Sequence, residues 1–449
     1  MNKKILCIFI FVIFFFLGVK AQQTVNLSDR EEWFTDLGFG MFIHWSFDSQ
    51  VGAIISHSMA GASEDYLDRF TKQLPQTFNP KKFDPDEWAI LAKLAGMKYV
   101  VFTTKHHSGF CMWDTKTTKF NVMNTPFGRD VVKEVFEAFR KQGIAIGVYF
   151  SPEDFYYLYE NNIPIGRLQH PLHYPKNNAG LMSLDKAQLK ELLTQYGKID
   201  IIFFDGPAEE LKEYAWQLQP EIVVTRGQMQ TPEQTLPNKP IPSPWEACFT
   251  MGTDWQYKPT NDPHKSGTQV INMLIETRAK GGNLLMNVGP KPNGEIQIEQ
   301  EALLRELALW NLVNAEGIHP TRAWDIIREN DIWFTQSKDK KTIYAFVQGG
   351  KNWPYATRKE FTIKSIEANE KTQVSILGYA SELIEYREGA DAKIYHYASP
   401  LGLTISAVNG LRLYTNNQWP NPIVLKIENA KFKSPKETKE SKSNIDGAK

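Results

Sequence analysis

Four places in the sequence gather side chains able to act on a substrate: Phe42-Ile43-His44-Trp45, Lys105-His106-His107-Ser108-Gly109-Phe110, Ile202-Phe203-Phe204-Asp205-Gly206 and Pro244-Trp245-Glu246. Asp205 follows an apolar run and precedes a glycine, which puts a carboxylate at a strand end beside a tight turn. A turn or helix-capping Asp is the competing reading. Glu246 stands among Trp245, Cys248 and Phe249, where burial would disfavour the charged form and raise its pKa. A solvated loop Glu is the alternative there. One ionised carboxylate beside one kept protonated near neutral pH is the division that glycoside hydrolysis needs, with the two ~5 Å apart in retaining enzymes. His44, His106 and His107 could be metal ligands, but zinc signatures usually set two His on one helix. Adjacent strand residues also point to opposite faces, so His106 and His107 cannot both aim inward from a regular strand. Neutral imidazoles bonded to sugar hydroxyls fit better, and no metal or other cofactor is expected. Trp113 and Trp255 would suit the apolar side of a sugar ring, although each alone reads equally as core.

The elements that must hold these groups repeat from residue 39 to about 318 as an apolar run, a loop and an amphipathic segment. Runs at 39–45, 99–105, 144–151, 199–205, 221–225 and 283–288 lack polar alternation, as strands buried on both faces do. Helical patterns occupy 84–95, 130–142, 185–196 and 266–279, with Asp84 and Asp130 as N-caps. Alternation of this kind gives an α/β fold with a parallel sheet covered by helices. A doubly wound dinucleotide fold would carry a glycine-rich turn after its first strand. His44-Trp45-Ser46-Phe47 stands there instead. Polar and aromatic residues fall at strand C-terminal ends, which favours a (β/α)8-like TIM barrel. After a helix at 299–315 come short strands at 332–336, 343–347, 360–363, 373–377, 401–406 and 423–427, an antiparallel β-sandwich. The expected division is signal peptide 1–21, catalytic barrel 22–320, sandwich 321–430 and disordered tail 431–449.

Composition bounds the partners. The 449 residues carry 51 basic and 51 acidic side chains, and a balance near zero argues against nucleic acid. Lys3 and Lys4 precede an apolar run at 5–17, and Val19 and Ala21 sit at the −3 and −1 positions of a cleavage site. The run is short of a transmembrane span, so export to the periplasm or medium is expected, with no stable membrane insertion after cleavage. Cys111 and Cys248 then remain as two buried thiols rather than a disulfide framework.

The motif set resembles the α-L-fucosidases of glycoside hydrolase family 29. Phe39-Gly40-Met41-Phe42-Ile43-His44-Trp45, His106-His107-Ser108-Gly109-Phe110, Phe204-Asp205-Gly206, Trp245-Glu246 and Gly282-Asn283-Leu284-Leu285-Met286-Asn287-Val288-Gly289-Pro290 occur in the family's order between about 33 and 324. The resemblance implies a distorted barrel and a β-sandwich that together hydrolyse terminal α-L-fucosides of glycans with retention and without metal. It makes Asp205 the nucleophile and Glu246 the acid/base. It assigns His44, His106 and His107 to sugar hydroxyls, and completes the pocket with Tyr149 and Arg226. The sequence departs in three places. Phe203 stands where the family has Trp, and Ser108 where it has Asp. The usual Glu-Trp-Tyr corresponds to Glu64-Asp65-Tyr66 or is replaced near Ser56-His57-Ser58. An exo-α-L-galactosidase, with His57 or Asp65 taking the C6 hydroxyl, is the neighbouring alternative. A silent carbohydrate-binding protein is the alternative from another class.

Overall fold

A computed structural model describes residues 23–166, 170–349, 353–411 and 421–432. The expected signal peptide lies outside these residues, as does the tail beyond Phe432. Seven strands form one parallel sheet: β1 (Phe39–Ile43), β2 (Tyr99–Lys105), β3 (Ala145–Phe150), β4 (Ile201–Phe204), β5 (Val223–Val224), β6 (Glu246–Thr250) and β7 (Asn283–Val288), in the order β5-β4-β3-β2-β1-β7-β6. Nine α-helices accompany the sheet among the described residues: α1 (Ser28–Leu37), α2 (Glu64–Asp68), α3 (Pro85–Leu94), α4 (Val131–Lys141), α5 (Phe155–Glu160), α6 (Ala179–Gln195), α7 (Glu209–Leu218), α8 (Gly267–Ala279) and α9 (Ile298–Asn314). Asp84 and Asp130 do cap α3 and α4, accepting from the Glu87 and Lys133 amides at 3.1 and 2.9 Å. The 185–196 pattern is only the second half of α6, whose cap is Asn178.

The expected eight-stranded closure is corrected to a curled, seven-stranded half-barrel. β5 is two residues long, and the chain after it carries Pro232, Pro237, Pro240, Pro242 and Pro244, which cannot donate to a ladder. Instead, residues 230–234 lie irregularly along β6. The Glu246 and Cys248 amides donate to the Gln230 and Pro232 carbonyls at 3.1 Å each, and the Gln234 amide to Cys248 at 3.0 Å. β6 itself, hidden behind this proline-rich stretch, has no counterpart among the expected strands.

Side chains on the concave face of the sheet, including Phe42, Tyr99, Val101, Tyr149, Phe203, Cys248 and Leu285, make one buried cluster. The opposite face packs on the helices in the larger core. Among the described residues Cys111 and Cys248 are free and buried. Trp113 is also fully buried, with its indole N–H on Glu191 at 2.9 Å, so it is core and not a sugar platform.

The C-terminal strands are β8 (Thr321–Glu329), β9 (Ile332–Ser337), β10 (Thr342–Val347), β11 (Arg358–Ile363), β12 (Ile366–Glu367), β13 (Gln373–Ile376), β14 (Tyr395–Ser399), β15 (Gly402–Val408), β16 (Ile423–Glu428) and β17 (Lys431–Phe432). They form antiparallel sheets ordered β13-β16-β10-β9-β8, β11-β15-β14 and β12-β17, and the first two share one hydrophobic core. Lys431 and Phe432, placed in the tail on sequence, pair with β12. Tyr344, Phe346 and Val424 join the barrel's core rather than their own. Among the described residues no helix is long and apolar enough to cross a membrane.

Candidate active site

Asp205 leaves the C-terminal end of β4, its amide held by the Phe150 carbonyl at 3.0 Å. Its carboxylate accepts from the Tyr149 hydroxyl at 2.6 Å on Oδ2 and from Arg226 Nη1 at 3.1 Å on Oδ1. His107 Nε2 stands 3.3 Å from Oδ2. Burial opposes ionisation, but the His107 hydrogen bond and the charges of His107, Arg226 and His106 outweigh it and hold the carboxyl well below the usual range. Arg226 lies over the Phe203 ring at 4.5 Å, and that ring stacks with Tyr149 at 18°. Phe203 thus supplies an aromatic floor where the family has Trp.

The two neighbouring histidines both reach this site because β2 ends at Lys105 with a register shift, so His106 and His107 lie beyond the regular strand. Strand alternation therefore does not constrain them, contrary to the expectation. Lys105 is fully buried and spans Asp185 at 3.0 Å and Asp154 at 3.3 Å, tying the strand end to α6 and α5. The first amide of α5, at Phe155, donates to the His107 carbonyl at 2.7 Å and fixes the loop from the other side.

Hydrogen bonds assign different states to the remaining imidazoles. His44 Nδ1 faces Asn287 Oδ1 at 2.7 Å, while Asn287 Nδ2 donates to the Trp255 carbonyl at 2.5 Å. Nδ1 therefore carries the proton, and Nε2 is left as an acceptor. Burial lowers the His44 pKa to about 3, so the ring is neutral. His106 is the converse case, since its Nδ1 accepts the His107 amide at 2.9 Å. Trp255 packs against His44 with centroids 4.9 Å apart. His106 Nδ1/Nε2, His107 and Asp205 offer ligand-type atoms within 4.8 Å of one another. Both Asp205 oxygens are already taken by donors, one of them the Arg226 cation, which disfavours a metal between them.

The family model for alpha-L-fucosidase matches residues 19–316, and that for the alpha-L-fucosidase C-terminal domain matches 325–408. The chain belongs to the alpha-L-fucosidase family. It is 27% identical to the plasma alpha-L-fucosidase of Rattus norvegicus over 80% of this chain and 86% of that one. Among solved structures, alpha-L-fucosidase isoenzyme 1 from Paenibacillus thiaminolyticus aligns with a TM-score of 0.70 and 28% identity over 89% of this chain and 98% of its own. The Thermotoga maritima alpha-fucosidase in complex with a mechanism based inhibitor aligns with a TM-score of 0.68 and 25% identity, covering 89% and 96%. The protein is accordingly a glycoside hydrolase, an α-L-fucosidase.

Within this fucosidase, several residues sit away from their expected places. Glu246 is the first residue of β6, at the N-terminal end of the strand, and is fully buried. Its Oε2 accepts from the Tyr99 hydroxyl at 2.5 Å. Burial raises its pKa to about 7, as expected, against the Tyr99 and Thr225 hydrogen bonds and the Arg226 charge. Cys248, two residues on along the same face, stands between it and Arg226 Nη2, to which its Sγ lies at 3.6 Å. Full burial at the N-terminal end of β6, with its Oε2 on Tyr99, does not favour the acid/base role expected of Glu246. Glu64 is exposed in the first turn of α2 and no hydrogen bond joins it to the Asp205 cluster. Asp65 is also exposed and pairs with Arg69 at 2.8 Å, and no hydrogen bond joins it to the Asp205 cluster. His57 is exposed, bonded to Ser56 Oγ at 2.7 Å, and its charge reaches Asp254 beside Trp255.

Two acids not singled out in the sequence do reach the site. Glu233 Oε2 accepts from Arg226 Nη2 at 3.0 Å with 42% of its side chain exposed. Glu153 Oε2 lies 3.7 Å from His107 Nδ1 and is buried. Glu153 follows β3 by three residues, so the strand-end rule applied to that strand would have flagged it.

Proposed function

We propose that this fucosidase removes terminal α-L-fucosyl residues from glycans with retention, by two displacements at the anomeric carbon with Asp205 as the nucleophile. The observation that carries the reading is the carboxylate itself, ionised at a strand C-terminal end, gripped by three donors and still 19% exposed. In the first step an Asp205 oxygen attacks the anomeric carbon while the bond to the leaving oxygen breaks and that oxygen takes a proton from an acid. Water then gives its proton to the conjugate base of that acid and attacks the anomeric carbon, and the electron pair of the bond to Asp205 returns to its carboxylate. His44 accepts from one sugar hydroxyl, His106 offers its other nitrogen to another, and Trp255 covers an apolar ring face. The mechanism-based inhibitor of the Thermotoga maritima relative accords with a covalent step.

For the acid/base the reading turns to Glu233. It rides on one nitrogen of the guanidinium whose other nitrogen holds Asp205, which keeps the nearest oxygens within about 8 Å of each other. That limit includes the ~5–5.5 Å of retaining pairs, and Glu233 is open to an incoming leaving group. Export, suggested by the amino-terminal pattern and in keeping with a plasma relative, would bring the enzyme to extracellular or periplasmic glycans, with catalysis in 22–320 and the sandwich in 321–430.

Asp205→Gly should lose roughly 10³-fold or more in kcat while remaining folded, and azide should restore turnover as β-L-fucosyl azide. Normal turnover in that variant would sink the assignment. Glu233→Gln should lose ~100-fold on alkyl and sugar fucosides but far less on nitrophenyl α-L-fucoside, whose leaving group needs little protonation. The same split in Glu246→Gln, and not in Glu233→Gln, would return the role to Glu246. Turnover of nitrophenyl α-L-galactoside beside the fucoside measures the specificity at C6.

A further inference from the structure

Beyond Trp255 the loop that follows β6 lines a second cavity. It encloses about 610 Å3 between residues 257–264 of that loop and residues 291–299, which lead from β7 into α9. Ligand sites commonly run from about 300 to 1,000 Å3, so its size is that of a binding site. The loop is held before any ligand arrives. Thr253 donates to Asp262 Oδ1 through its amide at 2.8 Å and its hydroxyl at 2.6 Å, closing the loop on itself. Gln256 Nε2 donates to the Ala53 carbonyl at 2.6 Å, and the Lys265 amide to the Met251 carbonyl at 2.8 Å. Gly289 lets the Gln256–Tyr257 backbone pack on the end of β7, where a Cβ would fall 2.8 Å from the Gln256 carbonyl carbon. A wall fixed in this way needs little ordering on binding.

The lining has the chemistry of a sugar subsite. Tyr257 is half-buried and offers an aromatic ring, and Pro259 and the exposed Ile298 add apolar surface. Among the described residues no hydrogen bond or ion pair takes the Tyr257 hydroxyl, the Asn261 side-chain amide or the Glu299 carboxylate, which leaves all three for sugar hydroxyls. The charged side chains balance, Lys258 and Lys291 against Asp262 and Glu299, so no net charge recruits a sulfate or a uronate.

Stereochemistry points the leaving group this way. In a displacement by Asp205 the leaving oxygen departs from the opposite side of the anomeric carbon, away from β4. β7 stands four strands from β4 along a sheet so curled that Phe42 of β1 and Phe203 of β4 meet at 5.1 Å. Glu233 lies along β6 beside Cys248, and the cavity's loop starts where β6 ends. Trp255 packs on His44 in the sugar pocket, and Tyr257 follows it by two residues, at most about 7 Å of chain.

Resting on the reading of Asp205 as nucleophile and Glu233 as acid, we propose that this cavity is a leaving-group subsite for the sugars beyond the fucosyl bond. The preferred substrate is then a fucosylated neutral oligosaccharide of several residues. Tyr257 carries a sugar face, and Asn261 and Glu299 bond its hydroxyls. These contacts are made alike in the bound substrate and the transition state, so they act on KM more than on kcat.

The test is a substrate-length series on the intact enzyme. A fucosyl disaccharide and a neutral fucosylated pentasaccharide, both of the linkage cleaved fastest, are compared by kcat/KM. The pentasaccharide should be favoured at least tenfold, mostly through KM. Tyr257→Ala should cut that ratio roughly tenfold, and Asn261→Ala by about threefold. A ratio near one in wild type overturns the proposal, as does a ratio that survives both substitutions. Preference for a sulfated pentasaccharide over the neutral one overturns the assignment to neutral glycans. Should Tyr257→Ala fail to fold, Asn261→Ala and Lys258→Ala, both at exposed positions, decide in its place. Normal turnover in Asp205→Gly would instead refute the nucleophile, while the length ratio still judges the cavity.

Discussion

Asp205, His107 and His44 carry their functional states in their neighbours rather than in their own chemistry. The Asn287 amide decides that His44 presents an acceptor to the sugar, because its oxygen takes the Nδ1 proton and its nitrogen is committed to the Trp255 carbonyl. Asn287→Ala frees both the ring and the Trp255 loop. A hydrogen-bond loss of this kind is worth about 1.4 kcal/mol, so KM for an aryl fucoside should rise about tenfold with a smaller change in kcat. Unchanged KM would mean that the ring is held by packing alone. Residue type was legible in the sequence at this scale, and depth was not. Burial of Glu246 could be read from Trp245, Cys248 and Phe249, but its place at the start of β6 could not, because the strand follows five prolines that mask its boundary. Nor could Glu233 be seen, since what marks it is an Arg226 nitrogen brought round by an irregular backbone.

At the scale of elements, the active site depends on how β2 stops. Gly109 has φ +85°, and a Cβ there would lie 2.1 Å from Asp154 Oδ1, the atom that caps α5 through the Tyr157 amide. Gly109→Ala should cost about 1–3 kcal/mol and lower kcat by displacing His107, measurable by denaturation and turnover on one preparation. Lys105→Met leaves Asp154 and Asp185 buried without their cation. A loss of roughly 3–5 kcal/mol is expected, and a smaller one would show that the pair shares a proton instead. The buried runs of β1 to β4 and β7 were plain from composition, because a strand covered on both faces needs no polar positions. β5 was read three residues too long, since pairing, and not hydrophobicity, sets its ends. His106 and His107 looked mutually exclusive only while the strand was assumed to continue beneath them.

Across the whole molecule, barrel and C-terminal sheets share material. The Trp310 indole of α9 donates to the Pro422 carbonyl at 2.9 Å, and Asn421 Nδ2 to Glu306 at 2.9 Å. With Tyr344, Phe346 and Val424 in the barrel core, heating should give one cooperative transition, and two separated transitions would contradict this coupling. Its pH dependence follows from buried acids. Glu246 rises from 4.5, and Asp48 from 3.8, to about 7 in each case, mainly through burial. The folded state therefore holds more protons than the unfolded one between those limits. The stability from these two groups is full below about pH 4 and is lost as pH rises through about 7. Asp205 acts oppositely: its depressed pKa adds stability above the ordinary carboxyl range that is lost on acidification. Tm should thus peak on the acid side of neutrality, and Glu246→Gln, which keeps an acceptor for Tyr99, should flatten its fall between pH 5 and 8. A steeper fall in that variant would show that Glu246 is ionised in the native state.

The stretch that fills the gap between β5 and β6 is not a rung of the sheet, yet Arg226 and Glu233 come from it. Lengthening or shortening residues 235–244 shifts the register of no strand pair. Selection, natural or in the laboratory, can thus redraw the leaving-group side of this pocket while β4 and its nucleophile stay fixed. The missing strand is where this scaffold is free to diversify.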